Sequence, residues 1–379
     1  MENQDTPVPQ PREDPTRPSA PSTKKRLLSL DALRGFDMFW IVGGEHLVAP
    51  LFAVTGWTFL RDFQVQLRHC RWNGFHFEDL IFPLFIFLSG VTLGLSSRPF
   101  RELDRKEKKK KYIRAVRRLL LLVAIGILYN RAHGWGNFLS WDGPRYMSVL
   151  GRIGFAWFFC AMIVWHMRPK WQYVLAGGIL LAYWAVQALA GGDAAANIWV
   201  DQHITPGFLY GKNMDPEGLL SNIPSIVNAL MGAFAGRWIV SRARLAKKVG
   251  YLALAGAILL ALGWAWNEIY PVNKRIWTGS YVLVTAGWSC LLFSLFYLLA
   301  DGWGLKRFGK FWAVIGANAL PVYIGYTFIH WTYTSDRLFG GFIEWTPKVW
   351  HPLLLHLGVL VLEWILLAWL YKRKIFIRV

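Results

Sequence analysis

Apolar residues in this sequence fall into runs of about 18–22, separated by short polar and basic stretches. A helix needs about 20 such residues to cross the roughly 30 Å of hydrocarbon in a bilayer. Runs can be placed at roughly 30–52, 80–96, 115–130, 148–165, 172–190, 224–240, 249–265, 281–299, 311–330 and 352–371. The pattern predicts an all-α, polytopic membrane protein of about ten transmembrane helices. Composition agrees: 54% of the 379 residues are hydrophobic and 17% are charged, against roughly 25% charged in a soluble domain. Many of the 22 tryptophans flank the runs, where an amphipathic ring is stable at headgroup level.

The formal net charge of +19 would suggest nucleic acid in a soluble protein. Here the basic residues sit in short connections, so topology explains them better. With the N-terminus inside, 30 Lys and Arg fall in inside segments and 10 in outside ones. An excess that alternates connection by connection fits an even number of spans, with both termini cytoplasmic. Residues 1–26, rich in Pro, Thr and charge, read as a disordered cytoplasmic tail. Residues 27–379 read as one transmembrane domain. Cys70, Cys160 and Cys290 are too few for a disulfide framework and lack metal-ligand spacing. The outside connections 53–79 and 191–223 are long and aromatic, which predicts order and function.

Ionisable groups within a bilayer are costly and mark function. The first run carries Asp31 and Arg34, three residues apart on one helix face, where they can form a structural ion pair or serve a site. Glu45 lies deeper, after Gly43 and Gly44, which permit close backbone approach or a break. The segment 69–83, H-C-R-W-N-G-F-H-F-E-D-L-I-F-P, gathers His69, Trp72, Asn73, His76, Glu78 and Asp79 at the mouth of a span. A histidine beside a carboxylate is a proton acceptor whose tautomer can be held. Arg152, about one turn into a span, needs a helix partner or a polyanionic ligand. The segment 215–228 carries Asp215, Glu217, Ser221, Asn222, Ser225 and Asn228; Asn228 suits a hydrogen bond between helices. Asn318 and Tyr323 flank a Pro in the ninth run and either line a cavity or tie helices together. Nucleotide-loop, zinc-protease and serine-hydrolase motifs are missing. These residues alone describe a transporter or an enzyme with a polar site near the outer membrane face.

Four strings taken together resemble the heparan-alpha-glucosaminide N-acetyltransferase family, most closely its bacterial branch. They are R-L-L-S-L-D-A-L-R-G-F-D-M-F-W-I at 26–41, the 69–83 segment, S-V-L-G-R-I-G at 148–154, and D-P-E-G-L-L-S-N-I-P-S-I-V-N at 215–228. The resemblance implies a multi-pass acetyltransferase of a bacterial inner membrane. It would take acetyl from cytosolic acetyl-CoA and deliver it to an amino sugar, such as a terminal glucosamine, on the other side. The family's active histidine, in H-x-x-W-N-G, falls at His69. Glu45 stands where the family has Asn, and Gly151 where relatives often have Gln. The animal members' large acceptor and lysosomal setting are not carried over.

The expected catalytic set is then His69, Glu45 and Asp79. Asn73, Trp72, Asp31, Arg34, Glu217 and Asn228 are expected toward the acceptor. Arg152, Asn318 and Tyr323, with the basic 105–118 and 237–248 connections, are expected toward CoA, and no metal is expected. The bilayer and the acceptor glycan are the expected partners, a second copy of the chain is left open, and nucleic acid is not expected. A sugar or amino-sugar permease, and an O-acetyltransferase of a surface glycan, remain the alternative readings.

Overall fold

The computed structural model describes residues 27–96, 98–134 and 143–377; the expected tail at 1–26 lies outside them. Apart from one antiparallel bridge between Arg145 and Gly207, the described residues contain helices and connections, with no strand. The helices are α1 (Leu28–Phe39), α2 (Glu45–Thr55), α3 (Thr58–Gln66), α4 (Glu78–Gly94), α5 (Arg105–Ala132), α6 (Val149–His166), α7 (Pro169–Leu189) and α8 (Ala195–His203). They continue with α9 (Leu219–Ile239), α10 (Leu245–Asn267), α11 (Gly279–Phe296), α12 (Lys306–Gly316), α13 (Ala319–Phe328), α14 (Trp331–Glu344) and α15 (His351–Lys372). α1 runs into α2 through a π turn at Trp40–Gly44, where Gly43 takes φ 139°, a backbone that L side chains rarely adopt.

All ten apolar runs are helical. Seven helical stretches are long and apolar enough to cross a membrane: 28–55, 149–166, 169–189, 219–239, 245–267, 279–302 and 348–372. The other three runs differ for visible reasons. α4 is only 17 residues long. α5 has 28 residues, but its first turns are R-K-E-K-K-K-K. The ninth run is split by Asn318 into α12 and α13. The long connections at 53–79 and 191–223 contain α3 and α8.

Sequence-local chemistry starts several helices. Asp104 accepts the N–H of Glu107 at 2.6 Å, and Ser148 accepts that of Gly151 at 3.0 Å. Such caps satisfy backbone donors that have no partner inside the helix. α4, α9 and α11 form the centre, with Phe87 of α4 edge-on to Phe293 of α11. Small residues set the closest approaches. Gly35 of α1 lies against the carbonyl of Trp312 in α12, and Gly316 returns the contact to the carbonyl of Asp31. α7, α10 and α15 turn large apolar side chains outward, including Leu181, Leu254 and Ile365. Such surface suits hydrocarbon, since a helix satisfies its own backbone.

Candidate active site

The connection between α3 and α4 folds back over the first turn of α4, and Asp79 is its anchor. Asp79 is fully buried, and its Oδ2 accepts the backbone N–H of Cys70 at 3.2 Å and of His76 at 3.1 Å. Its Oδ1 lies 3.0 Å from His69 Nδ1 and 3.4 Å from Lys274 Nζ. The 268–278 connection closes over this turn. Gly74 N–H donates to Val272 O at 2.8 Å, Asn273 Nδ2 to Asn73 Oδ1 at 2.9 Å, and Tyr281 OH to the Asp79 carbonyl at 2.7 Å.

His69 presents the opposite character: its side chain is 58% exposed while that of Asp79 is 1% exposed. An ionised carboxylate only accepts hydrogen bonds. We therefore assign the proton of neutral His69 to Nδ1, which leaves the Nε2 lone pair as a base. Lys274 Nζ, 3.1 Å from the same Nδ1, is also a donor, so with the proton on Nδ1 its acceptor here is Asp79 Oδ1 at 3.4 Å and it meets the imidazole only as a positive charge. Burial pushes the Lys274 ammonium below its usual range, while Asp79 and Glu78 pull the other way. Burial first, and then Asp79, push the Cys70 thiol up to about 11. The group therefore combines an oriented base, a buried carboxylate and a cation within hydrogen-bond reach.

His69 lines a cavity of about 830 Å³ that runs inside the bundle. Glu78 and Thr92, at opposite ends of α4, both face it, which gives a length of roughly 21 Å at 1.5 Å per residue. One end holds His69, Cys70, Glu78 and Lys274; the other holds Asp31, Arg34, Thr92 and Arg118. Between them lie apolar walls, among them Met38, Ile81, Phe82, Phe85 and Trp277. Arg118 sits 4.2 Å over the Trp157 ring, and its buried Nε has no hydrogen-bond partner among the described residues.

A second buried network borders the cavity near the His69 end. Arg145 forks onto Asp215 with two contacts of 2.7 Å and also reaches Glu217. Burial opposes its charge, but the two carboxylates outweigh burial and push the guanidinium above its usual range. Arg145, Tyr210 and Glu217 all face the cavity, and Arg145 lies 4.9 Å over the Tyr210 ring.

The structure brings some expected residues together and keeps others apart. His69, Asp31, Arg34, Arg152, Glu217 and Tyr323 line the cavity, and Asp79 stands directly behind His69. Asp31 and Arg34 form a 3.8 Å ion pair. Arg152 is held from three sides: Nε donates to Asn222 Oδ1 at 2.7 Å, Nη2 to the Pro216 carbonyl at 2.6 Å and to Ser221. Its guanidinium also lies 4.4 Å over Trp277, so most of its donors are already used. Asn228 accepts from Trp277 Nε1 at 2.9 Å and fixes that cavity wall from behind. Asn318 holds the C-terminal segment through the Ile375 carbonyl at 3.1 Å and the Ile377 N–H at 3.1 Å, and Ile377 lines the cavity. Tyr323 stacks on Tyr129 at 4.8 Å. Trp72, Asn73 and Glu45 do not line the cavity; Glu45 lies 3.8 Å from His46 instead. Lys274 and Arg145 were not singled out from the sequence, and Arg118 was covered only as the last residue of the basic 105–118 connection expected toward CoA. Their signal was weak, because their partners lie far along the chain or on other helices.

No family model matches the chain. Among curated proteins it is similar to human heparan-alpha-glucosaminide N-acetyltransferase, 26% identical over 423 residues, covering 93% of this chain and 59% of the human protein. It is equally similar to the mouse protein of the same name, at 26% over 425 residues, covering 94% of this chain and 61% of that one. The chain thus spans about three-fifths of the length of the curated relatives it matches.

Proposed function

From this distant kinship with the heparan-alpha-glucosaminide N-acetyltransferases, we propose that the chain is a multi-pass membrane acetyltransferase. Acetyl-CoA is the donor, and an amine, of amino-sugar type, is the acceptor. The observation that carries this reading is the His69–Asp79 dyad, set at one end of a cavity whose other end holds Arg34 and Arg118. The distribution of Lys and Arg supports a cytoplasmic Arg34–Arg118 end and an opposite-side His69 end. The two arginines suit the phosphates of CoA, and the apolar middle suits its arm and excludes water.

At the far end an ammonium acceptor must lose a proton before it can attack. His69 Nε2 takes that proton, with Asp79 holding the imidazolium that forms. The amine nitrogen bonds to the thioester carbon, Lys274 stabilises the developing oxyanion, and the C–S bond breaks. The second amine proton goes to the CoA thiolate. The net products are an amide, CoA thiol and one proton. Glu217, held by Arg145 beside the cavity, is the carboxylate available to an acceptor ammonium. An inner membrane, and an acceptor at the end of a surface glycan, complete the proposal.

The test is purified protein with acetyl-CoA and a panel of amino sugars, read as free thiol release. Wild type is expected to release thiol with at least one amine, and His69→Ala to be slower by roughly 10²–10⁴-fold. Equal rates would remove His69 from the chemistry. CoA should raise the melting temperature of wild type, in proportion to ligand over Kd, and raise that of Arg118→Ala less. The lengthwise cavity also favours one second reading, a permease. Vesicle uptake of labelled amino sugar without acetyl-CoA would establish that reading instead.

A further inference from the structure

We propose that Cys70, His76 and Asp79 form a binding site for a zinc-type divalent transition metal at the mouth of the cavity. One ligand atom from each, a thiol sulfur, a ring nitrogen and a carboxylate oxygen, lies within 4.8 Å of the other two. These donors match zinc, which takes thiolate, imidazole and carboxylate at about 2.0–2.3 Å. Tetrahedral bonds of that length put ligand atoms roughly 3.3–3.8 Å apart, so the site must close by about 1 Å. Cys70 and His76 sit on the irregular 67–77 connection, where Gly74 takes φ 122°. Closure moves that connection and no packed helix.

An independent feature points to a ligand. His76 Nδ1 donates to the Arg68 carbonyl at 2.6 Å. A carbonyl only accepts, so this contact puts the ring proton on Nδ1 and leaves the Nε2 lone pair for a metal. Metal-binding histidines are held in this way by a backbone carbonyl on the other nitrogen. Cys70 and His76 are half-buried and Asp79 is buried, so the site is reachable yet backed by protein. On binding, the Cys70 S–H bond breaks, sulfur bonds to the metal, and the proton leaves to solvent. Water completes the tetrahedron.

Asp79 is already in use. Its Oδ2 accepts two backbone N–H groups, and its Oδ1 faces His69 and Lys274. An incoming dication therefore displaces the Lys274 ammonium and loosens His69. Metal occupancy would switch off the proposed acetyl transfer, a consequence that rests on that reading. The binding itself does not.

The direct test is cobalt(II) titration of the purified full chain in micelles. One equivalent should produce a thiolate-to-cobalt charge-transfer band in the near ultraviolet, bleached by zinc. Cys70→Ser should abolish the band. His76→Gln, which keeps the thiol, should weaken binding at least tenfold, and Lys274→Met should tighten it by removing the competing cation. Absence of the band at millimolar cobalt, or its persistence in Cys70→Ser, overturns the site. If zinc also slows thiol release, reversibly by chelator, the link to acetyl transfer is supported. Cobalt binding that requires Cys70 but leaves acetyl transfer untouched upholds the metal site and removes the Asp79–His69 pair from catalysis.

Discussion

Replacing Asp79 by asparagine separates the chemistry of the dyad from the architecture around it. The carboxylate accepts two backbone N–H groups at 3.1 and 3.2 Å, lies 3.0 Å from His69 Nδ1 and 3.4 Å from Lys274, and also meets the Cys70 thiol. The amide oxygen of the substituted side chain can keep both backbone donors, so the 67–77 connection stays folded. Its NH₂ then faces His69 Nδ1 and can only donate. Nδ1 must accept, the ring proton moves to Nε2, and the base is lost. A general base contributes roughly 10²–10⁴-fold, and an imidazole held in the wrong tautomer loses a comparable factor. Asp79→Asn should therefore lower kcat by roughly 10²–10⁴, or about 2.7–5.5 kcal/mol of barrier, with KM for acetyl-CoA within a few-fold of wild type. Thiol release against acetyl-CoA concentration gives both numbers, and the melting temperature reports folding. A well-folded Asp79→Asn protein with kcat within threefold of wild type would refute the tautomer argument.

Three further outcomes follow from geometry. Gly35→Val should destabilise by about 1–3 kcal/mol or more, since any Cβ there meets the Trp312 carbonyl; thermal unfolding should show no loss for Gly177→Ala, which faces open space. Arg145→Met leaves Asp215 fully buried without its counter-charge, held only by the Tyr210 and Glu217 N–H groups, a loss of about 3–5 kcal/mol that Arg145→Met/Asp215→Asn should partly restore in the same assay. The Cys70 thiol, pushed from its ordinary 9.0 to about 11, is protonated at pH 8, so iodoacetamide should label it about 100-fold more slowly than an exposed thiol. Its rate should climb as pH approaches 11. Asp79→Asn removes the neighbouring negative charge, lowers the thiol's pKa and should speed labelling; mass spectrometry of the Cys70 peptide reads the rate.

The helices of the apolar runs were legible because each run carries its own signal, whereas α3, α8 and α14 lie between runs and were not. Interruptions within the runs were less legible. The π turn at Trp40–Gly44 places an extra residue in the first run, which turns α2 relative to α1 by about 100°. Counting from Arg34 along an unbroken helix reaches Glu45, yet in the structure Glu45 stands beside His46 and off the cavity. The glycines at 43 and 44 were the visible hint, but a glycine pair does not say which way a helix will turn. His69 and Asp79 were legible as a pair because only ten positions separate them. Lys274 was not, because 205 positions separate it from His69. Asn228 was legible as a hydrogen bond between helices, and it donates to Thr285 of α11 and accepts from Trp277; the Asn73 contact with Asn273 was not, because 200 positions separate the two.

The cations at the two ends of the cavity are balanced to different degrees. At the His69 end the cations have close counter-charges, Lys274 with Asp79 and Arg145 with Asp215 and Glu217, while Glu78 keeps one buried oxygen without a partner among the described residues. Balanced groups of this kind fix geometry, which is what a proton transfer requires. At the other end, Arg118 carries a buried Nε–H without a partner among the described residues, and Arg34 faces the same space with Asp31 3.8 Å away. The Arg118 Nε–H, left over inside the bundle, costs free energy unless an anion meets it. An anionic donor entering at Arg34 and Arg118 would supply that charge and leave the reacting end undisturbed. In the proposed reaction the dyad can then stay preorganised for its acceptor.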